Sequence, residues 1–271
     1  MTAPSGKPLP VGLRHAQLFE LNAAGLPNAT STTPYEGLEI AGPKVYELNL
    51  PDSRDIAHDG GDGVLDTDVL PPKEALTGSL RVARNDHDIY ALTTGTKART
   101  LGEARMIGIS TSKQGYEPEF GLLLYQQSKD MGARTWRSFI LPRTRLIAKP
   151  SGMVESPAEH IFQIRPSKVT KALWGAAFTL ADDGFTRAFH HELETQYQPW
   201  IVAWKGDNVA TEFLFHADRP AVATTKISGV WIDGVIDATV TKAVDKITPT
   251  TKPGAGSIIV ALIEIANPME G

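Results

Sequence analysis

Read for the alternation of apolar and polar positions, the chain breaks into many short apolar runs bounded by glycine, proline, asparagine or aspartate. KVYELNL at 44–50 is the plainest: Tyr46, Leu48 and Leu50 share one face and Val45, Glu47 and Asn49 the other, the two-residue period of a strand. Strand character recurs in GLRHAQLFEL (12–21), TGSLRVAR (77–84), ARMIGIST (104–111), FGLLLYQQ (120–127), WRSFILP (136–142) and HIFQIR (160–165). After a break near 181–199 it returns in WIVAWK (200–205), ATEFLFH (210–216), ISGVWI (227–232) and SIIVALIEI (257–265). Asp233-Gly234, between VWI and VIDATV, has the residue types of a two-residue hairpin turn. Residues 85–95 read as a short helix or turn, and FTRAFHHELETQ (185–196) as a short helix. KALWGAAFTLA (171–181) fits a buried strand or a helix equally. The pattern predicts a mainly β protein. It divides into 1–196 and a β-rich 197–271, the second part either a small outward domain or an elaboration of the first.

Composition narrows this. The 271 residues suffice for one large domain or two modest ones, and 41% hydrophobic with 21% charged residues is ordinary for a globular protein. With no cysteine, disulfides, zinc–thiolate sites and thiol nucleophiles are excluded. The opening MTAPSGKPLPVGLRH lacks the apolar core of a signal peptide, and IIVALIEIA (258–266) is too short to span a bilayer, so folding in a cytoplasm with no membrane contact is expected. A net charge of −4 argues against gripping nucleic acid. That charge is unevenly spread. Residues 52–68 carry six aspartates against Arg54, and residues 129–149 carry six lysines and arginines against Asp130.

The acidic stretch, DIAHDGGDGVLDTDVLPP at 55–72, is the first candidate for chemistry. No start within it meets the calcium-loop pattern; with Asp59 first, Gly61 falls where the second ligand belongs. An irregular calcium or magnesium site, and an acid/base centre on Asp59, Asp62 or Asp66, are further readings. A solvated loop with glycine turns, free to meet a partner, fits best. His190-His191 are adjacent rather than four apart, and His15, His87, His160 and His216 are isolated. GISTS lacks the second glycine of a nucleophile elbow, and Ile259 stands where a dinucleotide fingerprint opened by Gly254 and Gly256 needs its third glycine. The five tryptophans would suit a sugar platform, but most lie inside strand-like runs, where packing is the commoner use. No enzyme motif survives, and no cofactor or metal is expected.

GLRHAQLFELNAAGLP, YEGLEIAGPKVYELNLPDSRDIAHDGGDGVLDTDVLPPKEALTGSLRV, RTWRSFILPRTRLIAKP and KALWGAAFTLADDG, in that order along 11–184, resemble the major tail protein (tail tube protein) of long-tailed bacteriophages. The resemblance implies two packed antiparallel sheets, as a sandwich or barrel, with a flanking helix. It further implies hexameric rings stacked into a hollow tube that passes DNA without binding it, joined to other tail proteins of the virion. Such proteins carry no catalytic residues. In them a long loop between early strands commonly reaches the next ring, and residues 51–76 hold that place here. From the charge imbalance, Asp59, Asp62, Asp66 and Asp68 with the apolar Val69 and Leu70 are expected to dock on Arg137, Arg143 and Arg145 of a neighbouring subunit. A contractile-tail tube, a head decoration protein and a carbohydrate-binding β-sandwich module are the alternatives.

Overall fold

The computed structural model describes residues 9–49, 54–60, 63–70, 77–82, 87–94, 99–101, 104–106, 118–129, 134–149, 160–166 and 191–266. In chain order these form β1 (Leu9–Glu20), β2 (Leu38–Ala41), β3 (Pro43–Asn49), β4 (Arg54–Gly60), β5 (Gly63–Leu70), β6 (Thr77–Val82), α1 (His87–Thr93), β7 (Arg99–Leu101), β8 (Ala104–Met106), β9 (Glu119–Lys129), β10 (Arg134–Lys149) and β11 (His160–Pro166). They continue with β12 (His191–Thr195), β13 (Gln198–Lys205), β14 (Phe213–Leu214), β15 (Ile227–Ile232), β16 (Val235–Ile236), β17 (Thr241–Lys242), β18 (Lys246–Thr248) and β19 (Ile258–Ile265). The protein is mainly β, built of packed antiparallel sheets.

An eight-stranded sheet runs β2-β1-β9-β10-β11-β6-β3, with β12 also paired to β10. Its central strands are apolar on both sides because both sides are covered. From β1, Ala16 and Leu18 join Leu122, Leu124, Leu141, Leu146 and Phe162 in one core, to which α1 adds Ile89. On the opposite face Phe19, Leu123, Tyr125, Trp136 and Ile140 join a second core with Trp200, Trp204, Trp231 and most of β19. That is why FGLLLYQQ reads as a continuous apolar run, whereas β6 alternates strictly between half-buried and buried positions.

The sheet curls without closing into a barrel ladder. β2 pairs with β1 at one end, and β3 pairs with β6 at the other. Gly42 alone separates β2 from β3, so one nearly continuous segment joins both ends of the sheet. The corner is made at Gly42, where φ is 70°, a left-handed value that side chains with a Cβ resist.

A second sheet, β13-β19-β15-β16, and a third, β14-β18-β17, come from residues 198–265. Asp233 and Gly234, at φ 51° and 80°, turn β15 into β16, as the sequence predicts. Trp200 stacks on Tyr125 of the large sheet, with ring centroids 5.8 Å apart. Trp204 packs against Phe213 and Phe215 at 6.0 and 5.7 Å. Position 196 therefore separates two sheets but not two cores.

Two local expectations fail. Residues 191–195, read as helical, form β12, because pairing with Trp136–Ile140 of β10 outweighs the local preference; residues 185–190 and 171–181 lie outside the described residues. The strand read as ending at Pro142 continues to Lys149. Register shifts between Leu141 and Thr144, so that Pro142 and Arg143 face the single residue Gly121 of β9. This bulge absorbs a proline that has no N–H to give the ladder. It also reverses the alternation, putting Leu141 and Leu146 in the same core.

The shared core predicts that a chain ended at Gln196 is insoluble, because Phe19, Leu123, Tyr125, Trp136 and Ile140 lose the surfaces that cover them. A soluble truncated chain with a cooperative melting transition would contradict this. At the corner, Gly42→Val is expected to cost about 1–3 kcal/mol by chemical denaturation, and Gly42→Asn less, since Asn tolerates the left-handed region.

Candidate assembly surfaces

The aspartate-rich stretch is a hairpin rather than an irregular loop. β4 and β5 pair from Arg54↔Leu70 through Asp55↔Val69, Ile56↔Asp68 and His58↔Asp66 to Gly60↔Gly63, with a bulge beside Asp59 and Val64. Asp59, Asp66, Asp68, Val69 and Leu70 thus occupy ladder positions, while Asp62 falls outside the described residues. Glycine at both ends of the tip and β-branched Val64, Thr67 and Val69 along β5 explain why the segment pairs at all. Among the described residues β4 and β5 pair with each other alone. They are inserted between β3 and β6, which pair with one another up to Asn49↔Thr77. A second ladder is therefore nested inside the first. At a rise of about 3.4 Å per residue, its eight-residue strand is roughly 25 Å long.

The basic stretch does not form one surface. Arg137 is exposed and lies on the face of Phe139, its guanidinium 5.3 Å from that ring. Beyond the bulge, Arg145 alternates with the buried Leu146 and so points to the other side. Arg143 and Arg145 share Glu119 of β9: Nε of Arg143 donates to Oε2 at 2.6 Å, and a terminal nitrogen of Arg145 lies 3.5 Å from Oε1. Opposite Arg137 on β12 stands the exposed Glu194. Acidic residues of the same chain therefore offset much of the local positive charge.

The seam between the large sheet and β13 carries the most organised polar groups, none of which the sequence singled out. Gln17 is fully buried. Its Nε2 donates to the carbonyls of Glu36 and Ile201, at 3.0 and 3.2 Å, and its Oε1 accepts from the Ile201 N–H at 3.2 Å and from the Tyr125 hydroxyl. The amide thus pairs with β13 much as a neighbouring strand would. Burial, then the charges of Glu39 and Glu36, push the Tyr125 phenol well above its ordinary value, so it stays a donor. Beyond Ile201, Tyr35 exchanges two 2.8 Å backbone bonds with Ala203, and Ser31 accepts from the Lys205 N–H. Pro199 has no N–H to satisfy. The outer edge of β13 is closed to further strands.

At the mouth of this seam Arg219 lies over the Trp200 ring, 4.6 Å from its centroid. Its guanidinium pairs with Glu36 and reaches Oε2 of Glu39 at 3.2 Å. Nδ1 of His15 is 2.8 Å from Oε1 of Glu39. The hydrogen bond from His15, with the charges of His15 and Arg219, holds the Glu39 carboxyl below its ordinary value against the opposing effect of burial. A sequence signal for the seam did exist: Gln17 shares its strand face with the apolar Phe19 and Leu21, where a polar side chain is unusual. Glu36 and Arg219 had none, being far apart in the chain.

Among the described residues no group of three or more His, Asp or Glu could hold a metal. The tryptophans described, Trp136, Trp200, Trp204 and Trp231, are all buried and form no exposed platform. Among the described residues, the large apolar ones found exposed, Val209, Leu214, Val235, Ile236 and Val244, belong to the C-terminal segment. No helix among the described residues is long and apolar enough to cross a membrane.

The seam makes a graded prediction. Gln17→Leu strands the Ile201 amide and its carbonyl together, and is expected to cost about 2–5 kcal/mol. Tyr125→Phe leaves Gln17 paired with Ile201 and should cost about 1 kcal/mol. Equal losses in urea denaturation would show that the amide does not join the sheets.

No family model matches the chain, and no curated protein matches it.

Proposed function

We propose that this protein is the structural subunit of a phage tail tube, assembling as rings that stack into a conduit for DNA. The observation that carries the reading is the nested hairpin: β4 and β5 pair with each other in an arm inserted between β3 and β6, as an inter-ring element would require. Support comes also from the mainly β architecture, from the resemblance over residues 11–184, and from a net charge of −4, which would let DNA pass without being held. The subunit then acts by geometry, not by catalysis. Its location would be the virion tail, its principal partners copies of itself, and it would need no cofactor.

The arm is the contact we assign, with Asp59, Asp62, Asp66 and Asp68 providing charge and Val69 and Leu70 apolar surface. Of the basic residues, Arg143 and Arg145 could meet an incoming carboxylate only in competition with Glu119. Single exposed ion pairs are worth about 0–1 kcal/mol, so the arm's contribution depends on repetition around a ring.

Replacing residues 54–70 with a short turn should leave β3 and β6 paired and the monomer folded, because β4 and β5 close on each other. The shortened chain is expected to sediment as a monomer at concentrations where the parent forms rings or tubes. Assembly unchanged by the replacement would rule the arm out as a contact.

A further inference from the structure

We infer that residues 216–220 form a strap over Trp200, held shut by Arg219 against Glu36 and Glu39 and released by acid.

The segment is an exposed excursion between two buried anchors. Phe215 and Ala221 are 6% and 3% exposed, and both are tied by backbone bonds to one neighbouring stretch: the Phe215 N–H donates to Asp245 O, and the Ala221 N–H to Val244 O, each at 2.8 Å. Between them His216, Ala217, Asp218 and Pro220 are exposed, and Arg219 is the residue that turns inward. A turn shapes the strap, with the Arg219 N–H donating to His216 O at 2.9 Å. No apolar side chain of the five is buried, so the hydrophobic effect does not hold the strap down. Its closure rests on what Arg219 touches.

Arg219 touches the Trp200 ring, Glu36 and Glu39. Glu36 is the more enclosed carboxylate, its side chain 11% exposed against 37% for Glu39. Other charged or titratable groups also face this cluster. His15 of β1 meets Glu39, and Tyr125 of β9 lies beneath the Trp200 ring and stays neutral. On the strap's outer side, His216 and Asp218 face each other at 3.6 Å with side chains 53% and 87% exposed, too solvated to hold it. With His15 neutral, two carboxylates face one guanidinium. Protonating His15 adds a second cation, whereas protonating the carboxylates removes both partners of Arg219. A guanidinium cannot discharge itself, so an Arg219 without partners is better placed in water than at the seam.

The direction follows from Glu39. His15 does most to lower the Glu39 carboxyl and stays on β1 when the strap opens. The charge and hydrogen bond of Arg219 lower it further, and through that part closure is favoured above the ordinary value and weakened as pH falls through the lowered one. His15, Glu36, Glu39 and Arg219 lie outside the core that Trp200 and Tyr125 share with Trp204 and β19, and that core should persist, so the strap opens before the molecule unfolds. Opening uncovers one indole face and two carboxyl groups at the seam, whatever the state of assembly.

The test is the indole N–H resonance of Trp200 in the full chain, identified by its absence in Trp200→Phe, followed from about pH 7 to about pH 3 across the carboxyl range. The resonance is expected to shift before the other indoles do, towards the position that Arg219→Met gives at neutral pH. The Glu36→Gln/Glu39→Gln variant should sit at that position throughout, and Arg219→Met should not titrate. A Trp200 resonance that stays fixed until all the indoles move together at unfolding would overturn the strap. So would a double glutamine variant whose Trp200 resonance coincides with the parent's at neutral pH. If that variant does not fold, the parent's own titration decides.

Discussion

Both faces of β1, β9 and β10 must be covered, and the rest of the molecule answers that constraint. A strand carrying Leu122, Leu123, Leu124 and Tyr125 in succession has no face to give to water. One face is buried by curling the sheet on itself, which requires the chain to pass from β2 to β3 at a left-handed Gly42. The other is buried by β13 and β19, whose tryptophans meet Tyr125 and Trp136 in one core. The second solution brings an edge strand against a sheet face, where backbone groups would be orphaned. Gln17, Tyr35 and Ser31 supply those missing partners. Apolar burial thus creates the seam, and a few polar groups fix its register.

Much of the architecture was legible because two-residue periodicity survives wherever one face is less buried than the other. β3, β6, β11, β13, β15 and β19 all lie where alternation or β-branched runs place them. Readings failed where a partner distant in sequence decided the outcome. β12 is a strand because β10 offers it an edge, which an alanine- and glutamate-bearing segment does not announce. Pro142 is a bulge because β9 holds the ladder on both sides of it. The candidate contact residues were legible as charge, not as geometry: the aspartates fall on a hairpin, while the arginines divide between two faces and partly pair with Glu119. In the cluster of His15, Glu36, Glu39 and Arg219, Arg219 pairs with Glu36 from 183 positions away, beyond any local pattern.

An assembling subunit has to keep some strands for its neighbours and deny others. The outer edge of β13 is denied by Pro199, Gln17, Tyr35 and Ser31, so sheet extension cannot occur there. The β4–β5 arm is different: among the described residues its two strands pair only with each other, so a neighbouring subunit would meet the outer edges of both strands as well as their side chains. On this reading salt should weaken the aspartate contribution while Val69 and Leu70 hold in high salt. The C-terminal sheets, anchored in the common core, would be part of the wall and would present Val235, Ile236 and Leu214 outward.

The most direct measurement is electron microscopy of the purified, unmodified chain over a range of concentrations. The account predicts rings of uniform diameter that stack into hollow tubes. A protein that stays a dispersed monomer at every concentration would contradict it.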